Sequence, residues 1–284
     1  MRLPNRKLMS EGFSSIQTTL LTIHIQRLIF RIKMEKLLEI KNLTKRFQDG
    51  DREFAAVDDV SFSVLPGECV GLVGESGCGK STIARMITHL KKPDAGSVLL
   101  EGEETVFLKG KNLCQFYGKV QMVFQNPQAS FDPRRTLGDG IMESMRNQGM
   151  KKEEARQRME ALLAMVELSA EYGKRYPHEV SGGQCQRAAI ARALAVKPKL
   201  LICDEATSAL DVTVQAQIVK LLQKLQKETG VAILLICHDL ALVQAMCDHV
   251  LVMYQGKIIE EGTPDQVIGE PREEYTKALV EAAL

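Results

Sequence analysis

A glycine-rich segment at residues 74–82 carries groups that could bind phosphate. It reads Gly-Glu-Ser-Gly-Cys-Gly-Lys-Ser-Thr and has the spacing of a phosphate-binding loop, Gly-x4-Gly-Lys-Ser/Thr. Its glycines let the backbone turn N–H groups onto phosphate oxygens, and the dipole of a following helix adds positive charge. The residues expected around a nucleotide are Gly74, Glu75, Ser76, Gly77, Cys78, Gly79, Lys80, Ser81 and Thr82.

Two side chains of this segment have specific expected roles. Lys80 should reach the β- and γ-phosphates, and the Ser81 hydroxyl should ligate Mg2+. The alternative is a glycine-rich turn that carries a lysine by chance. That alternative is disfavoured because every fixed position of the pattern is filled.

Two adjacent acids, Asp204 and Glu205, follow the apolar run at residues 200–203. Such a run predicts a buried strand, whose acids emerge at the carboxyl edge of the sheet, where α/β folds bind ligands. We expect Asp204 to hold Mg2+ through its water shell and Glu205 to polarise the attacking water. An acidic helix cap is the structural alternative.

Two further segments could contact phosphate groups. His238 follows a second apolar run at residues 231–237, and so should lie at the same sheet edge, near a γ-phosphate or its attacking water. The segment 181–184, Ser-Gly-Gly-Gln, begins a predicted helix whose exposed N–H groups suit another phosphate contact. Taken alone, this segment fits a glycine helix cap equally well.

An aromatic side chain could stack on the nucleobase. Phe47 follows a predicted edge strand at residues 37–41 and precedes a predicted polar loop at 48–52. Aromatic faces accept any base, so Phe47 is expected at the nucleotide. The alternative is that Phe47, or the nearby Phe54, belongs to the core.

The pattern of hydrophobic residues predicts the elements that position these groups. A buried strand at 68–73 and a helix at 82–90 flank the glycine-rich segment, as a phosphate-binding loop requires. Charged, helical periodicity at 137–168 indicates a helical insertion. Other predicted strands lie at 56–64, 97–100, 120–124, 231–237, 250–254 and 257–260, and other helices at 212–229 and 275–283.

Composition excludes several classes of protein. The chain has 284 residues, 45% of them hydrophobic, which is enough for a large packed core. Thirty-seven basic and 36 acidic residues give a net charge of +1, so no overall field favours nucleic acid. Seven cysteines without Cys-x2-Cys spacing indicate reduced thiols, not a disulfide framework or a metal cage.

The first 33 residues differ from the rest, with six basic side chains and one acid, Glu11. Their most apolar part, residues 16–30, is too short and too polar for a membrane span. We expect residues 1–35 to be an extension that is disordered or that precedes a translation start at Met34.

Taken together, these segments resemble the ATP-binding subunit of ABC transporters over roughly residues 37–284. Residues 74–81 correspond to the Walker A loop of that family, Gln125 to the Q-loop and 180–184 to the signature sequence. Walker B, the D-loop and the switch histidine correspond to residues 200–205, 208–211 and His238. The resemblance implies an α/β fold, with a P-loop NTPase (RecA-like) core, an antiparallel β-subdomain and an inserted α-helical subdomain. The expected boundaries are 36–127 for the β-subdomain and first part of the core, 128–185 for the helical subdomain and 186–284 for the second part of the core.

The resemblance also implies ligands and partners. ATP and Mg2+ are the expected ligands, with Ser81, Gln125 and Asp204 at the metal and Glu205, His238 and Gln125 in hydrolysis. In this family, the signature of one subunit closes over ATP held by another in a head-to-tail dimer. The residues implied to contact nucleotide in that way are Ser181, Gly182, Gly183, Gln184 and Asp211.

A narrower resemblance joins the chain to the oligopeptide, dipeptide and nickel importers, through residues 125–134, 176–184 and 275–279. Members of that group pair two related ATPases, on the cytoplasmic face of the membrane, beneath two permease subunits. An extracytoplasmic binding protein feeds them. The short stretch after residue 279 favours the nickel or metal-chelate type, and the cargo stays open between peptide and metal.

The sequence departs from the usual family pattern at Val180, Cys185 and Cys237, none of which is a phosphate ligand or the expected base. Two other functions stay open. A soluble ABC ATPase acting on nucleic acid or ribosomes usually has tandem cassettes or a long coiled-coil insertion, which this chain lacks. A regulatory module without turnover is disfavoured by Glu205 and His238.

Overall fold

A computed structural model describes residues 35–50, 52–206 and 212–282. The expected N-terminal extension, up to residue 34, and the expected contact Asp211 lie outside the described residues. The ten strands of the described part are β1 Leu38–Asp49, β2 Arg52–Val64, β3 Cys69–Val73, β4 Ala95–Leu100, β5 Glu103–Glu104, β6 Val120–Val123, β7 Leu200–Asp204, β8 Ala232–Ile236, β9 His249–Tyr254 and β10 Lys257–Gly262. Its nine α-helices are α1 Lys80–Ile87, α2 Gly110–Lys119, α3 Leu137–Asn147, α4 Lys152–Met165, α5 Gly182–Leu194, α6 Val212–Thr229, α7 Leu240–Met246, α8 Pro264–Gly269 and α9 Glu274–Glu281.

A six-stranded sheet in the order β10-β9-β3-β8-β7-β6 forms the centre of the fold. Its strands are parallel except for β10, which pairs antiparallel with β9. Every residue of β3, β7 and β8 is buried. This burial explains why these strands read as continuous apolar runs instead of alternating patterns. The parallel arrangement brings the carboxyl ends of β3, β7 and β8 to one edge, beside the glycine-rich loop.

A second sheet of four antiparallel strands has the order β2-β1-β4-β5. Its first two strands are longer than the sequence indicates. β1 continues through Phe47, which pairs with Phe54 of β2, so Gln48, Asp49 and Arg52 lie in strands and not in the predicted loop. Register shifts in the β1–β2 pair between Ile40 and Arg46 interrupt the regular alternation, which hid the continuation.

The helical insertion comprises α3 and α4, packed against α5. The single helical segment predicted at 137–168 is divided because Gly149 has a left-handed backbone (φ 89°) between the two helices. Buried apolar side chains of α3, α4 and α5, among them Ile141, Leu163 and Ile190, form one core with the sheet. The helices α2, α7 and α8 were not predicted from the sequence.

Truncating Leu163 should reveal how much this core stabilises the protein. Its side chain is fully buried, so Leu163→Ala should lower the free energy of unfolding by about 2–5 kcal/mol through lost burial and a residual cavity. Chemical denaturation measures the difference. Leu90 is 58% exposed, and Leu90→Ala is the matched control, with an expected change within about 0.5 kcal/mol. Equal effects of the two substitutions would contradict the assigned core.

Candidate nucleotide-binding site

The glycine-rich loop joins the end of β3 to the start of α1 and approaches other backbone closely. Gly79 has a left-handed backbone (φ 116°) directly before α1. A Cβ at this position would lie 2.1 Å from the carbonyl oxygen of Ala56, closer than any side chain allows. The loop therefore requires glycine here for two reasons, the backbone conformation and the space. Of the remaining loop residues, Glu75, Ser76 and Gly77 are exposed and Cys78, Ser81 and Thr82 are half-buried.

The Lys80 side chain folds back over the loop. Its Nζ donates hydrogen bonds to the carbonyl oxygens of Gly74 and Glu75, each at 2.7 Å, and lies 3.6 Å from Cys78 Sγ. Lys80 is only 3% exposed, so its charge is held inside the loop. Phosphate oxygens would exchange for these neutral carbonyls and form stronger, charge-assisted hydrogen bonds.

Ser81 and Asp204 bring two oxygen ligands together from α1 and β7. The Ser81 hydroxyl donates to Asp204 Oδ1 at 2.8 Å. Burial raises the pKa of the Asp204 carboxyl, and the hydrogen bond from Ser81 opposes that rise. Hydroxyl and carboxylate oxygens are suitable ligands for Mg2+, which binds few protein groups alongside phosphates and water. In the described parts of the chain, no group of three or more His, Cys, Asp and Glu residues forms a complete metal cage.

Glu205 follows Asp204 and contacts Gln125. Gln125 Nε2 donates to Glu205 Oε2 at 2.6 Å, which joins the chain after β6 to the chain after β7. Glu205 has a left-handed backbone (φ 46°), and its N–H donates to the carbonyl oxygen of Ile236 in β8. The carboxylate is therefore held beside the sheet edge by its own backbone and by Gln125.

His238 lies at the same edge. Asp204 pairs with Ile236 across β7 and β8, so His238 stands two residues beyond the register partner of the buried acid. Its side chain is exposed, whereas the neighbouring Asp239 caps α7 by accepting hydrogen bonds from the N–H groups of Ala241 and Leu242. The structure thus places His238, Asp204 and Glu205 at one edge, as predicted from the two apolar runs.

The segment 181–184 forms a reciprocal cap at the start of α5. Ser181 Oγ accepts from the Gln184 N–H at 3.3 Å, and Gln184 Oε1 accepts from the Ser181 N–H at 3.0 Å. A Cβ on Gly183 would lie 2.6 Å from Val214 Cγ1, so α5 approaches α6 closely here. Within the described residues, the hydrogen bonds of Ser181 and Gln184 stay in the helical region and do not reach residues 74–82.

Phe47 has a different environment from the other candidate residues. Its half-buried ring stacks on Phe54, with 5.9 Å between centroids, and Lys91 Nζ lies 4.2 Å from its centroid. These contacts order the ring by stacking and by a cation–π interaction. Base stacking by Phe47 stays a prediction.

The amino-acid sequence of the chain matches a known protein family. Residues 57–208, more than half of the chain, match the family described as ABC transporter. The chain belongs to the ABC transporter family. The membership confirms the resemblance stated from the motifs.

Individual members of the family are similar over most of the chain. The oligopeptide transport ATP-binding protein OppF of Bacillus subtilis is 48% identical over 251 residues, covering 87% of this chain and 82% of that protein. The protein of the same name from Escherichia coli is 47% identical over 257 residues, covering 87% of this chain and 77% of the relative. A solved structure of an ATP-binding cassette, a dimer in a post-hydrolysis state bound to ADP and Pi, has a TM-score of 0.73 and 31% identity. That match covers 80% of this chain and 98% of the cassette, and it confirms the predicted P-loop NTPase fold class.

Arg192, which was not predicted as a site residue, connects the helix of the family's signature sequence to the segment after the Q-loop. Its guanidinium donates to the Ser130 carbonyl oxygen at 2.5 Å and to Ser130 Oγ at 2.9 Å, and it covers the Phe131 ring at 4.2 Å. Burial lowers the pKa of Arg192. The sequence feature that could have identified Arg192 is its position within the alanine-rich run 188–195, because a charged residue in a buried run requires a specific partner.

Proposed function

We propose that this protein is the ATP-hydrolysing subunit of an ABC importer for peptides. The observation that supports it most directly is the pair of contacts at one sheet edge, Ser81 with Asp204 and Gln125 with Glu205. A metal-ligating pair and a held carboxylate, next to a phosphate-binding loop, are the parts that phosphoryl transfer to water requires.

Each side chain of the site has a role in this proposal. Lys80 and the loop N–H groups bind the phosphates, and Ser81 with Asp204 would hold Mg2+, which neutralises the charge of the β- and γ-phosphates when bound. Gln125 orients Glu205 and contributes to the metal site. Glu205 accepts a hydrogen bond from the attacking water and polarises it. His238 donates to the γ-phosphate.

The active form in this proposal is a head-to-tail dimer, of two copies or of this chain with a related ATPase. Ser181 and Gly182 are exposed at the start of α5, with a helix dipole behind them. The hydrogen bonds of Ser181 remain within the helical region. The proposed phosphate contact of this segment is therefore with a nucleotide held by a second subunit. The dimeric cassette with ADP and Pi is consistent with this arrangement. Gln184 would support the contact as the capping partner of Ser181, and Asp211 is proposed at the same interface.

Two permease subunits complete the proposed assembly, which lies on the cytoplasmic face of the membrane and receives cargo from an extracytoplasmic binding protein. In the ranges that the structure describes, no helix is long and apolar enough to cross a membrane. The names of the OppF relatives favour peptide over nickel as cargo. The exposed segment after Gln125 is the proposed permease contact, because Arg192 connects it to the signature helix.

Co-expression tests this assembly against the soluble alternative. The protein should co-purify from detergent-solubilised membranes with its permease subunits, and ATP hydrolysis by the reconstituted complex should rise when the binding protein is loaded with peptide. Loading the same binding protein with nickel is the matched comparison for cargo. Recovery with ribosomes or nucleic acid, and not with permeases, would contradict the proposal.

A further inference from the structure

The C-terminal helix α9 contacts the phosphate-binding loop through one tyrosine. The hydroxyl of Tyr275 accepts a hydrogen bond from the Glu75 N–H at 2.9 Å, across 200 positions of sequence. Glu75 is one of the residues expected around the nucleotide, and in this structure its N–H donates to Tyr275. The contact thus links a segment that the proposed function leaves unused to the centre of the nucleotide site.

Tyr275 is held in place by its surroundings. Its ring packs on that of Tyr254, at the end of β9, with 4.2 Å between centroids. Glu260 of β10 accepts hydrogen bonds from the N–H groups of Arg272 and Glu273, at 2.9 and 3.2 Å, which anchors the chain before α9. Within α9, Val280 is buried in the core. The hydroxyl is therefore presented to the loop by a fixed helix.

The peptide unit between residues 74 and 75 is held from both sides. Its N–H donates to Tyr275, and its carbonyl oxygen, that of Gly74, accepts from Lys80 Nζ at 2.7 Å. The C=O and N–H of a trans peptide lie in one plane and point in opposite directions. The two hydrogen bonds together set the orientation of this plane, and so Tyr275 and Lys80 are coupled through a single peptide unit.

We propose that Tyr275 is a positioning residue for nucleotide binding, which orients the peptide unit 74–75 and through it the ammonium group of Lys80. This inference rests on the proposed ATP-binding function. Without the hydroxyl, the exposed Glu75 N–H would turn to water and the peptide plane would lose one of its two restraints. The loop would then spend part of its time in orientations that bind phosphate poorly. Restoring the binding orientation would cost free energy when ATP binds, and this cost would reduce the affinity for ATP.

Tyr275→Phe tests the proposal because it removes only the hydroxyl. The loss of one hydrogen bond should raise the Kd for ATP, and the KM for ATP, about 2- to 10-fold, while kcat changes less than about twofold. Fluorescence titration with an ATP analogue and steady-state hydrolysis measure the two quantities. Amide hydrogen exchange of the peptide covering residues 74–79 should be faster in the variant, which reports on the loop without catalysis.

Tyr254→Phe is the matched control. It removes the hydroxyl of the neighbouring ring, which contacts Gln255 and not the loop, and it should leave Kd, KM and loop exchange unchanged. Equal Kd and exchange in Tyr275→Phe and the wild type, or the same change in both variants, would overturn the inference. ATP binding by the wild-type protein is measured in the same titration. If the wild type binds ATP, the variants test the role of Tyr275 alone. If the wild type does not bind nucleotide, both the proposed function and the role of Tyr275 are refuted.

Discussion

Replacing Glu205 by glutamine should slow ATP hydrolysis by about 10²- to 10⁴-fold while ATP binding is retained, because glutamine cannot act as a general base. Glutamine has nearly the same shape, and its amide oxygen can still accept the hydrogen bond from Gln125 that holds Glu205 at 2.6 Å. The substitution therefore removes the charge and basicity with little change of packing. Steady-state phosphate release and equilibrium nucleotide binding, measured on the same preparation, check the result.

Glu154→Gln is the matched control for this prediction. Glu154 is exposed in the first turn of α4, within the helical region, and its neutralisation should leave hydrolysis unchanged. Hydrolysis by Glu205→Gln within about threefold of wild type would exclude Glu205 as the base, because loss of a positioned base costs far more than that. Loss of binding in the same variant would instead indicate that the acid supports the folded loop.

Lys80→Ala should weaken ATP binding, whereas Glu205→Gln should slow hydrolysis and retain binding. Hydrogen bonds to charged groups contribute about 1.5–3 kcal/mol, so losing the ammonium group should raise the Kd for ATP at least about 10- to 100-fold. The truncation also removes the hydrogen bonds that Lys80 donates to Gly74 and Glu75, which loosens the empty loop. Fluorescence titration measures the change in Kd, and thermal unfolding detects any loss of the fold.

An exposed lysine provides the comparison for Lys80. The side chain of Lys174 is 72% exposed and forms an ion pair with the nearby Glu171 in the helical region, so Lys174→Ala should leave the Kd for ATP unchanged. The assignment of Lys80 would be wrong if both variants bound ATP as the wild type does. It would also be wrong if Lys80→Ala lowered kcat alone, since a phosphate ligand of the bound nucleotide contributes to affinity.

Much of the candidate site could be predicted from the sequence because its parts are local. The spacing of residues 74–82 predicts a loop conformation, and the short apolar runs before Asp204 and His238 predict buried strands. The family membership and the fold class predicted from these motifs are confirmed by the comparisons. The short helix α8 was missed although Thr263, Pro264 and Gln266 form a recognisable capping signal, because six residues are too few to show helical periodicity.

Contacts between distant segments were decided by the tertiary structure. Hydrophobic periodicity indicates which face of an element is buried, but not which element becomes its neighbour. The sheet order that places β7 between β8 and β6 brings Gln125 to Glu205, and the packing of α9 brings Tyr275 to Glu75. The sequence by itself identifies the groups that are proposed to bind ATP. The folded arrangement decides which of these groups touch, because hydrogen bonds form only between atoms that packing has already brought together.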